Sequence, residues 1–303
     1  MRQFNEDTLT DAVIARLKDA KNPRFRQIIT SLVKHAHAFA REVELTEEEW
    51  FEGIKFLTAT GQKCDDKRQE FILLSDVIGL SMMVVALNHK TAPGATEATV
   101  LGPFFAHGAP EFEYGADLRA GATLKGEDTY VTGRILSVEG KPVPNAALDI
   151  WQAKADGIYD VQEPESEFEL RGRVKANAHG EYAFKTYKPK FYGVPTDGPV
   201  GELLRAMGRH PMRPAHMHAI VSAPGYQQVI THVFVEGDPY LDSDAVFAVK
   251  DSLIGKYIKV DSPEEAKKLG MPNPFLKLEW EFRLSPESGV KARKTIAPSD
   301  AVA

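Results

Sequence analysis

The sequence predicts a mainly β protein, an antiparallel β-sandwich preceded by an N-terminal α-helical domain, divided into segments 1–100 and 101–303. Three observations carry that expectation. Residues 1–90 place apolar side chains at three- and four-residue spacing, the period of an α-helix. The character changes near Lys90, where TAPGATEATVLGPFF brings in proline and glycine. From about residue 120 the apolar pattern becomes short and alternating, with turn signals such as EGKPVPNA, NAHG and APG between segments. Many short strands so spaced suggest a sandwich or barrel.

In chain order, LTDAVIARLKDA and RFRQIITSLVKHAHAFAREVE read as amphipathic helices. LTEEEWFEGIKFL opens with a capping box, Thr46 at the N-cap and Glu49 three residues on. RQEFILLSDVIGLSMMVVALN is apolar around most of its circumference and reads as one helix that is buried or packed on a partner. The expected strands are TYVTGRILSV, AALDIWQA, GEYAFKTY, AHMHAIVSA, QQVITHVFVE and KLEWEFRL. DSDAVFAVKDSLI returns to helix or irregular structure, and the chain turns polar after Ser285.

Composition narrows the function classes. The 303 residues are 43% hydrophobic and 26% charged, ordinary for a globular chain with a sizeable core. The net charge is −6 and the basic residues are dispersed among acids, so no nucleic-acid partner is expected. A single cysteine, Cys64, excludes a disulfide framework within the chain and a cysteine-rich zinc or iron–sulfur site. The start, MRQFNEDTLTDAV, lacks the apolar core of a signal peptide. The most apolar run, Phe71 to Leu87, is short for a bilayer span and contains Asp76. The expectation is a cytoplasmic protein that is not embedded in a membrane.

The chemistry gathers at RPAHMHAIVSAPG. On a strand, His216, His218 and Ile220 share one face, and Met217, Ala219 and Val221 the other. Pro214 suits a strand's start. Two imidazoles so placed form either a hydrogen-bonded pair or half of a metal site. Further donors are available in His232 of QQVITHVFVE, in the carboxylates, in Tyr159 of ADGIYD and in Tyr192 of FYGVP. Three histidines would suit zinc and a bound hydroxide. Two histidines and two phenolates would suit a hard cation such as Fe(III), which pulls a phenol's pKa down from about 10. On the residues alone both readings stand, as does a non-catalytic binding module with a hydrogen-bonded histidine pair.

ADGIYD, FYGVP, GRHPMRPAHMHAIVSAPGY and GDPYLDSDAVFAVKDSLI, with LGPFF and RQEFILLSDVIGLS upstream, resemble the intradiol ring-cleaving dioxygenases. The length, the helical N-terminal region and GDPYLDSDAVF resemble most the hydroxyquinol-cleaving branch of the catechol 1,2-dioxygenase group. The resemblance implies one non-haem Fe(III) per subunit, bound by Tyr159, Tyr192, His216 and His218, with hydroxide as a fifth ligand. Tyr192 would be the ligand that leaves when substrate binds. The implied reaction is O2-dependent cleavage of hydroxyquinol (benzene-1,2,4-triol) to 3-hydroxy-cis,cis-muconate or maleylacetate. Catechol or a substituted catechol is the alternative substrate, and a zinc hydrolase or lyase on His216, His218 and His232 a further alternative. Arg213, three residues before His216, would stabilise negative charge on the ring. His232 stands where many catechol-cleaving relatives carry glutamine, which implies support for Arg213 or for the ring-opening step. The implied pocket comprises Leu73, Asp76, Val100, Leu101, Gly102, Pro103, Phe104, Val194, Pro195 and Arg213, with Asp76 accepting a hydrogen bond from a third ring hydroxyl. The resemblance also implies a homodimer joined through the N-terminal helices, in some members with lipid bound between them.

Overall fold

The structure, a computed structural model, describes residues 4–66, 68–163 and 168–287. By its contacts the chain divides into two compact units between Ala59 and Thr60. The first holds helices α1 (Leu9–Ala15), α2 (Pro23–Glu42) and most of α3 (Glu47–Gln62). Asn22 caps α2, accepting from the N–H groups of Arg24 and Phe25 at 2.9 and 3.1 Å, and Pro23 fills the first position, where its missing N–H costs nothing. Before α3 the capping box forms as expected. Glu49 N–H donates to Thr46 Oγ1 at 3.2 Å, and Thr46 N–H donates to Glu49 Oε2 at 3.0 Å.

In the second unit the single helix expected over 68–88 is two, α4 (Glu70–Val77) and α5 (Leu80–Asn88), set at 79°. The break is at Gly79, whose φ of +76° is left-handed and whose N–H donates to Asp76 O at 3.0 Å. Both halves are apolar, so hydrophobic periodicity runs through the break without registering it. Val77 and Met82 pack in one cluster with Val100, Val194 and Phe234. These helices therefore belong with the strands, and the division by contacts lies well before the change from helix to strand between Asn88 and Glu111. Among the described residues no single helix is long and apolar enough to cross a membrane; α4 and α5 pass that test by length and composition only as a bent pair.

The remaining elements are β1 (Glu111–Phe112), β2 (Ala116–Asp117), β3 (Asp128–Ser137), β4 (Ala147–Gln152), β5 (Arg171–Lys175), β6 (Glu181–Tyr187), β7 (Tyr192–Gly193), α6 (Pro199–Ala206), β8 (Met212–Arg213), β9 (His216–Ser222), β10 (Val229–Val235), β11 (Ile254–Gly255), β12 (Tyr257–Val260), α7 (Pro263–Leu269) and β13 (Phe275–Leu284). They build a six-stranded sheet in the order β1-β5-β4-β9-β10-β11, a five-stranded sheet in the order β12-β13-β3-β6-β2, and the small ladder β7-β8. All six expected strands form. The sheets are mixed, however, not purely antiparallel: β13 runs parallel to β3 from Leu276↔Thr129 to Leu284↔Ser137, and β1, β2 and β11 also pair in parallel. Alternation in a sequence sets which side chains face in, not which way the neighbouring strand runs.

The core lies between the two large sheets. Leu148, Ile150, Met217, Ala219, Val221 and Val233 of the first meet Val131, Ile135, Phe184, Leu278 and Phe282 of the second. Met217, Ala219 and Val221 share one face of β9, as expected, and the fold turns that face inward. His216, His218 and Ile220 face the other side, where Ile220 clusters with Trp151, Tyr159 and Tyr192.

Candidate metal centre

Cross-strand register assembles the histidines. His232 on β10 pairs with His218 on β9, and Trp151 on β4 pairs with His218 from the other side. The Trp151 ring stacks on His218, centroids 4.6 Å apart and planes 11° apart. Two loops bring the tyrosines. Tyr159 precedes a short 3-10 turn, and its N–H donates to Gln162 Oε1 at 2.8 Å. Tyr192 is on β7, directly opposite Arg213 on β8. Gly157 lets these segments meet: a Cβ there would lie 3.1 Å from both Phe191 O and Tyr192 Cβ, at a φ of +87°.

The donor atoms converge. Tyr159 Oη lies 3.1 Å from His218 Nε2 and 3.4 Å from His216 Nε2, and the two Nε2 atoms are 3.2 Å apart. Donors about 2.1 Å from one ion are separated by about 3.0–3.4 Å, so this triangle has the spacing of metal ligands. The Tyr192 hydroxyl is hydrogen-bonded to Tyr159 and accepts from Arg213 Nη1 at 3.3 Å. His216 Nδ1–H donates to Pro214 O at 2.7 Å, which leaves the Nε2 lone pair facing the triangle.

Electrostatics prepare the same atoms. Burial, and then the Arg213 charge, hold His216 well below its ordinary pKa. Burial, and then the neighbouring His216, Arg213 and Arg171, do the same for His218. Both imidazoles are therefore neutral, as ligation requires. Burial, and then Tyr192, push the Tyr159 phenol well above its usual range, with Arg213 and Arg171 opposing. A cation in the triangle reverses that preference. Among the described residues, His218 Nδ1, His232 Nε2 and Arg213 Nη2 are buried side-chain atoms without a hydrogen-bond partner. Two neutral imidazoles and two phenols around one point are a donor set that fits a hard, highly charged cation.

His232 is fully buried, and Thr99 Oγ1 is hydrogen-bonded to its Nδ1. Its candidate donor nitrogen lies within 4.8 Å of those of His216 and His218, a looser grouping than the triangle with Tyr159. Arg213 is held by Asp244, Nε to Oδ1 at 3.1 Å, and its Nη1 also reaches His216 Nε2 at 3.3 Å. Burial works against the Arg213 charge, but Asp244 and the two tyrosines keep the guanidinium firmly protonated.

A cavity of about 610 Å³ opens over Tyr192 and Arg213. Of the expected pocket residues, Leu73, Asp76, Val100, Gly102, Pro103 and Phe104 line it, as do Val194 and Pro195. Leu101 does not: it is 37% exposed and lies outside the cavity lining, while its neighbour Val100 is buried and lines it. Burial, ahead of all other influences, raises the Asp76 pKa.

Sequence reading missed several neighbours. Asp244 lies inside the quoted GDPYLDSDAVF, and Asp160 follows Tyr159 directly, but neither carries a signal of its own. Arg171, in ELRGRVKA, was legible only as a charge in a stretch that turns out to be strand β5. Ile72, Phe105, Val161 and Val246 also line the cavity, and nothing in the sequence singles them out.

Residues 100–286 match the family profile described as Dioxygenase, and residues 22–96 the one described as Catechol dioxygenase N terminus. The chain is 56% identical over 260 residues to 6-chlorohydroxyquinol 1,2-dioxygenase of Cupriavidus pinatubonensis, covering 86% of this chain and 94% of that protein. It is 47% identical over 285 residues to hydroxyquinol 1,2-dioxygenase of a Rhizobium species, covering 93% and 96%. The solved structure of hydroxyquinol 1,2-dioxygenase from Pseudomonas putida superposes with a TM-score of 0.88 at 50% identity, over 93% of this chain and 99% of that one. With both halves matched in order and such relatives spanning nearly its whole length, the chain belongs to the intradiol ring-cleavage dioxygenases.

Proposed function

We propose that this chain is an Fe(III)-dependent dioxygenase that opens hydroxyquinol with O2 to 3-hydroxy-cis,cis-muconate, breaking the bond between the two vicinal hydroxylated carbons and adding one oxygen atom of O2 to each. The observation that carries the reading is the triangle of Tyr159 Oη, His216 Nε2 and His218 Nε2, with Tyr192 Oη beside it. Tyr159, Tyr192, His216 and His218 would hold one ferric ion per subunit. When bound, that ion supplies a Lewis acid for both oxygens of a diol and draws electron density from the ring.

Around it the protein's own groups divide the work. Tyr192 Oη, at the cavity face, accepts a proton released by the incoming diol. Arg213, tied to Asp244, presents its guanidinium to negative charge that develops on the ring. His232, anchored on Thr99, backs His216 and His218 and supports the ring-opening step. Leu73, Val100, Pro103, Phe104, Val194 and Pro195 give the ring apolar walls, and Gly102, where an added Cβ would lie 3.1 Å from His218 Cε1, leaves room for that imidazole. Asp76 accepts the third hydroxyl, which favours hydroxyquinol over catechol. The N-terminal helices, with Leu32, Phe39 and Trp50 exposed, supply the dimer contact.

A second reading, zinc on His216, His218 and His232, rests on the 4.8 Å grouping of their nitrogens. Metal exchange separates the two. Iron-loaded protein should consume O2 and hydroxyquinol in equal amounts and yield the ring-opened diacid, while zinc-loaded protein should yield none. Ring cleavage absent with iron bound would overturn the proposal.

A further inference from the structure

Two segments distant in sequence meet on one buried guanidinium. Arg171 Nε bonds Asp160 Oδ2 at 2.8 Å and Nη2 bonds Asp160 Oδ1 at 2.5 Å, while Nη2 also donates to Phe104 O at 2.9 Å. Arg171 and Asp160 are each 3% exposed. Asp160 directly follows Tyr159, and the Phe104 ring lies on the Tyr159 ring, centroids 4.5 Å apart and planes 25° apart. Phe104 lines the cavity. One side chain therefore fastens both the segment that carries a donor of the metal triangle and the wall against which a bound ring lies.

A buried ion pair is a poor source of stability, since well-packed apolar side chains of similar volume do as well. What a guanidinium adds is a planar fork that satisfies two acceptors at once, which an ammonium does not reproduce.

We propose that Arg171 is a positioning residue of this centre, holding Tyr159 and the Phe104 wall of the diol pocket as one rigid piece. The inference rests on the iron dioxygenase reading and adds a residue outside the donor set and the cavity lining.

The test compares iron-loaded wild type with Arg171→Met and Arg171→Lys, with bound iron per chain, the phenolate-to-iron absorption band and the kcat and KM for hydroxyquinol all measured. Loss of the cation beside Tyr159 raises the energy of its phenolate electrons. The band of Arg171→Met, normalised to bound iron, should therefore move to longer wavelength. Its kcat/KM should fall by about 100-fold, the scale of a ~1 Å misplacement. Arg171→Lys keeps the charge and the Asp160 pair but loses the fork, so its band should stay in place while kcat/KM falls about tenfold through KM. Wild-type band and kinetics in Arg171→Met would overturn the proposal. Should that variant not fold, wild-type KM in Arg171→Lys would overturn it instead. A wild-type protein without the band or ring cleavage would sink the iron reading itself, a separate outcome.

Discussion

Replacing Asp244 by alanine strands the Arg213 guanidinium in the protein interior. Arg213 is 3% exposed, and its Nη2 already lacks a partner among the described residues. The substitution removes the 3.1 Å ion pair from Nε and an acceptor for the Ala248 N–H at 2.9 Å. What remains on Arg213 is Nη1, shared between Tyr192 Oη and His216 Nε2. Removing one partner of a buried pair costs about 3–5 kcal/mol, because the other charge stays desolvated. At about 2–4 °C per kcal/mol the melting temperature should drop by about 6–20 °C. Urea denaturation of wild type, Asp244→Ala, Arg213→Met and the double variant measures the pairing directly. The double variant should be more stable than the sum of the singles predicts, by at least about 2 kcal/mol. An Asp244→Ala protein within about 1 kcal/mol of wild type, or additive singles, would refute the view that Asp244 holds Arg213 in place.

Two further substitutions probe the site from other sides. Gly157→Ala adds a Cβ at a φ of +87° and 3.1 Å from both Phe191 O and Tyr192 Cβ, so it should cost about 1–2 kcal/mol and lower bound iron by parting the tyrosines; full iron loading would contradict this. Burial raises the Asp76 pKa, so the native state holds its proton more tightly than the unfolded chain, and stability falls as pH rises from the unfolded value, about 3.9, through the raised native one. Asp76→Asn should accordingly leave stability equal or higher at pH 7 while narrowing the preference for hydroxyquinol over catechol; an unchanged kcat/KM ratio for the two would remove Asp76 from substrate selection.

Much of the architecture was legible because single faces carry it. Alternation in AHMHAIVSA separates His216 and His218 from Met217, whose face the fold makes the core, and the capping box at Thr46 marks the start of α3. The family resemblance singled out Tyr159 and Tyr192, although only the fold shows that Gly157 lets their segments touch. Features that depend on long-range partners escaped. The parallel pairing of β13 with β3 leaves no trace in either strand's pattern. The turn at Gly79 lies hidden in a run that is apolar on both sides. Leu101 sits among pocket residues in sequence, yet the fold leaves it exposed and outside the cavity lining. Arg171, Asp160 and Asp244 are ordinary charged residues in sequence, and burial together makes them part of the site.

The central claim is that Tyr159 and Tyr192 join His216 and His218 around ferric iron. A visible spectrum of the iron-loaded protein, recorded before and after anaerobic addition of hydroxyquinol, tests it most directly. The account predicts a broad phenolate-to-iron band that moves to longer wavelength with the diol and returns when air is admitted and the ring is cleaved. A colourless protein that holds its metal on His216, His218 and His232, with the tyrosines free, would contradict it.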